Sequence, residues 1–427
     1  MKYKTYPKMK DSGVDWIEMI PEEWNTKKLK FLVLNRTVKS QKNSNLPYVG
    51  LENVESKTGK VIDTNEEMEE SDGKIFQKND VLFGKLRPYL AKVAKMDFDG
   101  RCSGEFLVLQ GKENEAKFLQ YSLLSDGSIQ TINASTYGSK MPRAEWTFIG
   151  NMKFPIIKTE TQIKIINFLE KEISNIDSKI FKNKKLIQLI NEKQHVIINQ
   201  TVTKGIDQTI PLKDSGIQWI EKIPNHWNIR KISHSVNKIT NGFVGPTRDI
   251  LLKDGIRYLQ SLHIKKGEIK FVKKYFVSDS WSKEHSKSIL KEGDVLVVQT
   301  GGIGECATVT KEFEGCNCHA LIILQFKKEL ANGFFISYLL RSNYGFNIIN
   351  SNKTGALLPH LEIGYLKDVF LPLPPTKEQE KIVDYLNVQT DKTNSLIYKI
   401  ELHIEKLKEI RKSLILSAIT GKINITN

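Results

Sequence analysis

Four cysteines in 427 residues cannot form the disulfide framework of a small secreted scaffold, so a reducing compartment is expected. No apolar run reaches the length of a membrane span, and the opening MKYKTYPKMKD carries no hydrophobic signal core. The expectation is a cytoplasmic chain with no membrane contact. A P-loop of the form G-x-x-x-x-G-K-[ST] is missing, as is an Asn/Asp-Pro-Pro-aromatic tetrad. These absences argue against nucleotide hydrolysis and amino-group methylation by this chain itself. Acidic residues are also in deficit: 49 Asp and Glu face 64 Lys and Arg, a net charge of +15. The excess is spread along the chain rather than gathered in a tail, which suits a wide polyanion-binding surface. A merely basic soluble protein is the plain alternative.

Three near-motifs fall short of chemistry. The run Gln299-Thr300-Gly301-Gly302-Ile303-Gly304-Glu305-Cys306-Ala307 imitates a dinucleotide turn, but a strand rather than a helix is expected after it. Cys316-Asn317-Cys318-His319 lacks further ligands at metal-site spacing, so no metal is expected. Glu268-Ile269-Lys270 has nuclease-like spacing without the proline-aspartate strand such a site needs, and reads as solvated charge.

What the chain does have is a long heptad stretch over residues 376–421, free of proline and of internal glycine. Its seam runs Val383, Leu386, Thr390, Thr393, Ile397, Ile400, Ile404, Leu407, Arg411, Leu414 and Ala418. Thr376 is expected as N-cap with Gln379 three residues on, and Gly421 as the stop. Residues 159–205 repeat the pattern, with Ile166, Leu169, Ile173, Ile176, Ile180, Asn183, Ile187, Ile190, Gln194, Ile197 and Thr201 on the seam. Gln162 and Gln379 stand 217 residues apart, a whole number of heptads, so the two seams share one phase. Each helix would be about 68 Å long at 1.5 Å per residue. Two matched seams in one chain favour an intramolecular coiled coil, and the large segment between them lets the second helix return antiparallel. A homodimeric coiled coil is the alternative.

The sequence is also written twice outside the helices. Residues 11–24, DSGVDWIEMIPEEW, recur as DSGIQWIEKIPNHW at 214–227, identical at nine of fourteen positions. The four tryptophans of these openings are read as core or docking anchors. Each opening precedes a segment of short β-rich runs with Gly and Asn/Asp turns and one helix, expected at 115–124 and 330–342. Each segment closes on a glycine loop, 137–143 and 353–360. The organisation is therefore α+β: a recognition-type domain at 1–158, a spacer helix at 159–205, a second domain at 206–375 and a second helix at 376–427. The loop residues suited to phosphates or base edges are Lys85, Arg87, Tyr89, Lys140 and Arg143 in the first domain. Their counterparts in the second are Gln299, Thr300, Lys353 and His360.

The D-S-G-x-x-W-I-E-x-I-P-x-x-W opening, with P-L-P-P-T-x-E-Q-x-x-I-V-x-Y-L at residues 372–386, resembles the specificity subunit of type I restriction–modification systems. A looser copy of the second motif stands at 155–162, and Ala418-Ile419-Thr420-Gly421-Lys422 is similar to the family's helix end. The resemblance spans nearly the whole chain. It implies two target-recognition domains separated by two helices in an antiparallel coiled coil, each domain reading one half of an asymmetric, interrupted double-stranded DNA target. It implies no catalytic activity and no cofactor for this chain. Two modification subunits would methylate adenine with S-adenosylmethionine, and restriction subunits would use ATP and Mg2+. A self-contained nuclease or methyltransferase, or a coiled-coil DNA-binding regulator, is the competing reading.

Overall fold

The computed structural model describes residues 3–40, 46–62, 73–111, 113–136, 140–351, 353–354 and 360–425. Parts of the two glycine loops, 137–139 and 355–359, lie outside them. The chain forms two compact units, residues 1–184 with 401–427, and residues 185–400. Each unit thus holds one globular domain and half of each long helix.

Both units carry the same four-stranded antiparallel sheet. In the first its order is Leu34–Arg36, Phe106–Gln110, Val81–Gly84, Val93–Lys95. In the second it is Val236–Asn241, Leu321–Phe326, Val295–Val298, Cys306–Thr308. The two inner strands of each sheet, Phe106–Gln110 with Val81–Gly84 and Leu321–Phe326 with Val295–Val298, read as near-continuous apolar runs because both faces are covered. Val81 and Phe83 face two helices, Glu113–Leu124 and Asp126–Ala134, while Leu82 and Val108 face a second small sheet containing Phe76 and Cys102. Side chains alternate sides along a strand, so one run builds two cores. The second unit repeats this with helices Gly333–Leu340 and Asn343–Ser351. One helix per domain was expected; a second follows it directly in each, and in the first unit the break comes at Ser125, which caps the next helix with its hydroxyl accepting from Ser128 N.

The long helices run Thr159–Lys204 and Thr376–Ile419. In the first unit the Asp177 carboxylate approaches Arg411, and Asn183 meets His403 at 3.1 Å. Numbering rises along one helix as it falls along the other, so the pair is antiparallel. In the second unit Ile198 and Val202 share a core with Ile382, Val383 and Leu386, the same sense of pairing. Every seam residue expected above is buried or half-buried: Ile166, Leu169, Ile173 and Ile176 are buried, while Ile180, Ile187, Ile190, Ile197 and Ile397 are half-buried. Leu386, Ile400, Ile404, Leu407 and Leu414 are buried.

The helix starts differ from expectation. Thr376 is already helical, and the Pro375 carbonyl accepts the first bond, from Gln379 N at 3.0 Å. Gln379 forms no capping box. Its fully buried amide accepts from Asn332 N at 2.7 Å and donates to the carbonyls of Leu330 and Pro374. That amide fastens the helix to its domain. The preceding residue, Glu378, accepts from Trp227 Nε1 at 3.1 Å and pairs with His226 at 2.7 Å, tying the repeated opening to the same turn. At the other end Gly421 takes φ 71°, and Lys422 N bonds the Ser417 carbonyl at 2.8 Å, a Schellman stop. Pro21 and Trp24 lie against that glycine where any Cβ would clash.

Of the four tryptophans, Trp24 and Trp227 are buried anchors, but Trp16 and Trp219 differ. Trp16 packs on Phe154 and over Gly127, where an added Cβ would meet the indole. The position matching Gly127 is Tyr344, a buried ring whose hydroxyl donates to the Phe370 carbonyl. With that ring in place, Trp219 is 45% exposed and lines a cavity of about 660 Å³ with Tyr344, Tyr365 and Phe370.

Candidate nucleic-acid interface

In the first unit the strand Val81–Gly84 runs on into residues 85–87, and the chain beyond the helices returns beside it. Leu86 bridges to Arg143, Arg87 N bonds the Pro142 carbonyl at 2.8 Å, and Ala144 N bonds the Lys85 carbonyl at 3.0 Å. Lys85 N in turn donates to the Glu105 carbonyl at 2.8 Å. Lys85, Glu105 and Arg143 therefore gather at one end of the sheet. The Arg143 guanidinium forks onto the Glu105 carboxylate, Nη2 to Oε1 at 3.0 Å and Nε to Oε2 at 3.1 Å. That bonding raises the Arg143 pKa above its ordinary value. Lys74 reaches the same end, donating to the Phe106 carbonyl at 2.7 Å, and burial followed by the charge of Lys85 lowers its pKa. Lys140 stands exposed three residues before Arg143.

Two members of the expected set behave differently. Arg87 occupies left-handed backbone, φ 51°, ahead of the turn Pro88–Leu90. Tyr89 lines a separate cavity of about 220 Å³ with Lys57, Gln130 and Arg411 instead of joining Arg143.

The second unit has the same construction with other chemistry. Leu361 N bonds the Gln299 carbonyl at 3.2 Å, as Ala144 does to Lys85, so Gln299 and His360 occupy the places of Lys85 and Arg143. The Gln299 amide donates to Asn241 Oδ1 at 2.8 Å. His360 lies 3.4 Å from the Glu362 carboxylate, and Thr300 is exposed. The backbone of Lys353 sits in a strand beside His360–Leu361; its side chain lies outside the described residues. Where the first unit offers an ion pair, the second offers a neutral amide pair. Sequence reading missed Glu105 and Asn241, because strand register alone brings them to this end.

The near-motifs resolve as local structure. Cys306–Thr308 is a strand paired with residues 295–297, so the glycine run at 299–305 is a hairpin turn and not the start of a helix. Cys316 and Cys318 are buried in an apolar core, which pushes the Cys316 thiol up to about 11. Glu268 and Lys270 pair with each other at 3.0 Å.

Residues 21–192 and 247–406 match the family described as type I restriction modification DNA specificity domain. A curated relative, the type I restriction enzyme MjaVIII specificity subunit of Methanocaldococcus jannaschii, is 23% identical over 319 residues, covering 73% of this chain and 71% of that protein. Among solved structures, a chain from work on complex assembly and conformational transition of the type I R-M system superposes with a TM-score of 0.68 at 19% identity, over 95% of this chain and 99% of that one. The HsdS subunit from Thermoanaerobacter tengcongensis gives a TM-score of 0.52 at 18% identity, over 95% and 98%. With the family match covering most of both repeats, the chain belongs to the type I restriction modification DNA specificity family.

Proposed function

We propose that this chain is the DNA-recognition subunit of a type I restriction–modification complex and is not itself an enzyme. Each unit reads one half of an interrupted target, and the two helices set the spacing and dock two modification subunits. Those partners would use S-adenosylmethionine to methylate adenine, and restriction subunits would add ATP- and Mg2+-dependent cleavage.

The observation that carries the reading is the unlike chemistry at one place in two like folds. An arginine donates bidentately to guanine O6 and N7, and a carboxylate accepts from cytosine N4. Arg143 with Glu105 therefore suits a G·C pair. A glutamine or asparagine amide matches adenine N6 and N7. Gln299 with Asn241 therefore suits an A·T pair. Two such different readers call for an asymmetric target, whereas a two-fold symmetric operator would need two alike.

The test is methyl transfer. The purified chain alone should incorporate no labelled methyl groups into DNA, and a cognate modification subunit should restore incorporation at a site with two unlike halves. Incorporation by the lone polypeptide would overturn the non-enzymatic reading, and a palindromic methylated site would overturn the division between units.

A further inference from the structure

We propose that the hairpin at residues 264–274 of the second unit is a sequence-independent phosphate anchor for double-stranded DNA, through Lys265, Lys266, Lys270, Lys273 and Lys274. This rests on the DNA-recognition reading and adds to it a surface that reads no bases.

Five lysines stand within ten residues, all exposed. Among the described residues only Lys270 of the five meets a carboxylate, Glu268 at 3.0 Å. Aromatic side chains interleave with them: Lys273 lies 5.4 Å from the Tyr275 ring centroid, and Phe271 is half-buried beneath. Val272, at 80% exposure, stands out among the charges. A run of exposed ammonium groups, four of the five without a carboxylate among the described residues, is the chemistry that displaces counterions from a phosphate backbone.

The backbone beneath the lysines is held rigid. Strands Ile264–Lys265 and Glu268–Ile269 pair antiparallel around a two-residue turn, with Lys266 at φ 54° and Gly267 at φ 84°. Positive φ at both positions is the twisted turn that suits hairpins. The peptide groups at the tip have partners outside the hairpin: Lys266 N donates to Glu305 Oε2 at 2.8 Å, and Arg341 Nη1 donates to the Lys266 carbonyl at 2.7 Å. The backbone is thereby fixed while the Lys266 ammonium stays in solvent. Its base is stapled by the fully buried His263, whose Nδ1 accepts from Gln260 N at 2.8 Å and whose Nε2 donates to the Lys273 carbonyl at 2.6 Å. Glu305 belongs to the turn that begins at Gln299, so the hairpin is fastened beside the candidate base reader.

The matching hairpin of the first unit is built for another purpose. It closes through a Val54–Val61 bridge with Lys57 at φ 65° and Gly59 at φ 77°. Arg411 of the long helix donates to the Lys57 and Thr58 carbonyls, and Lys60 pairs with Asp177 at 2.8 Å. That hairpin faces the helices, with two lysines, one already ion-paired. The excess charge is a property of the second unit's copy alone.

The experiment uses the full-length chain and fluorescein-labelled duplexes, one carrying the motif methylated in the host and one scrambled. Binding is titrated between about 50 and 200 mM KCl. Replacing all five lysines by Gln keeps the stems and removes the charge. The slope of log affinity against log salt should fall by about 4.5, at roughly 0.9 for each of five phosphates no longer neutralised. Affinity at low salt should drop about 10-fold or more on both duplexes, with their ratio unchanged. A control variant, Lys377, Lys381, Lys392, Lys399 and Lys406 to Gln on the second long helix, removes the same net charge and should keep the parent slope. A hairpin variant with the parent slope, a control variant that loses as much, or a changed ratio between the duplexes would each overturn the anchor while leaving DNA recognition intact. A parent chain that binds neither duplex would overturn DNA recognition itself, and the anchor with it.

Discussion

Asp177 and Arg411 face one another across the two long helices, Oδ1 to Nε at 3.7 Å, beside a seam packed mainly with Ile and Leu. Arg411 also donates from Nη1 and Nη2 to the Lys57 and Thr58 carbonyls at 3.0 and 3.1 Å, so one side chain joins the helix pair and a domain hairpin. The heptad-matched positions in the other copy are Gln194 and Asn394, both uncharged.

Removing Arg411 should therefore loosen the first unit and not the second. Arg411→Ala should cost about 2 kcal/mol, since it strands two carbonyls and part of the Asp177 charge. Arg411→Met should recover a portion by filling the stem's volume. Hydrogen exchange of the full chain would check it, with faster exchange expected at residues 57–60 and unaltered exchange across 295–298. Equal effects in both units would show that the interaction is not local.

Arg143→Ala should relax discrimination at one base pair of one half-site by about 1–3 kcal/mol, and Glu105→Gln should relax the same pair without weakening the salt dependence. Gln299→Ala should act on the other half-site alone. Selection of bound sequences from a randomised duplex library would read all three. Uniform weakening of every sequence by Arg143→Ala would reassign that residue to a phosphate.

If the coiled coil acts as a ruler, one heptad inserted after Ile187 and one after Ile400, positions that face each other in the antiparallel register, should preserve the seam. Seven residues add about 10.5 Å. That is about three base pairs of duplex at 3.4 Å rise, so the unspecified spacer should lengthen by roughly that much. Reduced affinity is expected, because three base pairs also turn one half-site by about 100°. Mapping methylated sites in a host that carries the variant would decide it; an active variant keeping the original spacer would remove the helices as the ruler.

His263 should make the second unit acid-sensitive. Burial lowers its pKa below the ordinary 6.5, and the neutral ring is the form that accepts from Gln260 N while donating to Lys273. The unfolded chain then takes up a proton first as pH falls, so the contribution is complete above about pH 6.5 and declines below it. His263→Gln should lower the thermal midpoint at pH 7.5, and the gap from the parent should narrow by pH 5.5. A constant gap would mean that the ring does not titrate in this range.

Much of this was legible in the order of residues. Heptad phase depends only on helical periodicity, so the burial of Leu386, Ile400, Ile404 and Leu407 followed from spacing, as did the shared phase of the two helices. The duplication, the openings and the Gly421 stop were likewise local signals. The tertiary structure decided whatever depends on which surfaces meet. Gln379, expected to cap its own helix, instead satisfies Asn332 and Leu330, because a buried amide goes to the partners its domain supplies. Trp219 is exposed where Trp16 is covered, since Tyr344 replaces Gly127 beneath it. Glu105 reaches Arg143, and Asn241 reaches Gln299, only through strand register. For the five lysines at 265–274, no spacing rule says that Glu305, Arg341 and His263 hold their backbone still. Periodicity is a property of one segment and can be read from it; a meeting of distant segments needs the geometry of both.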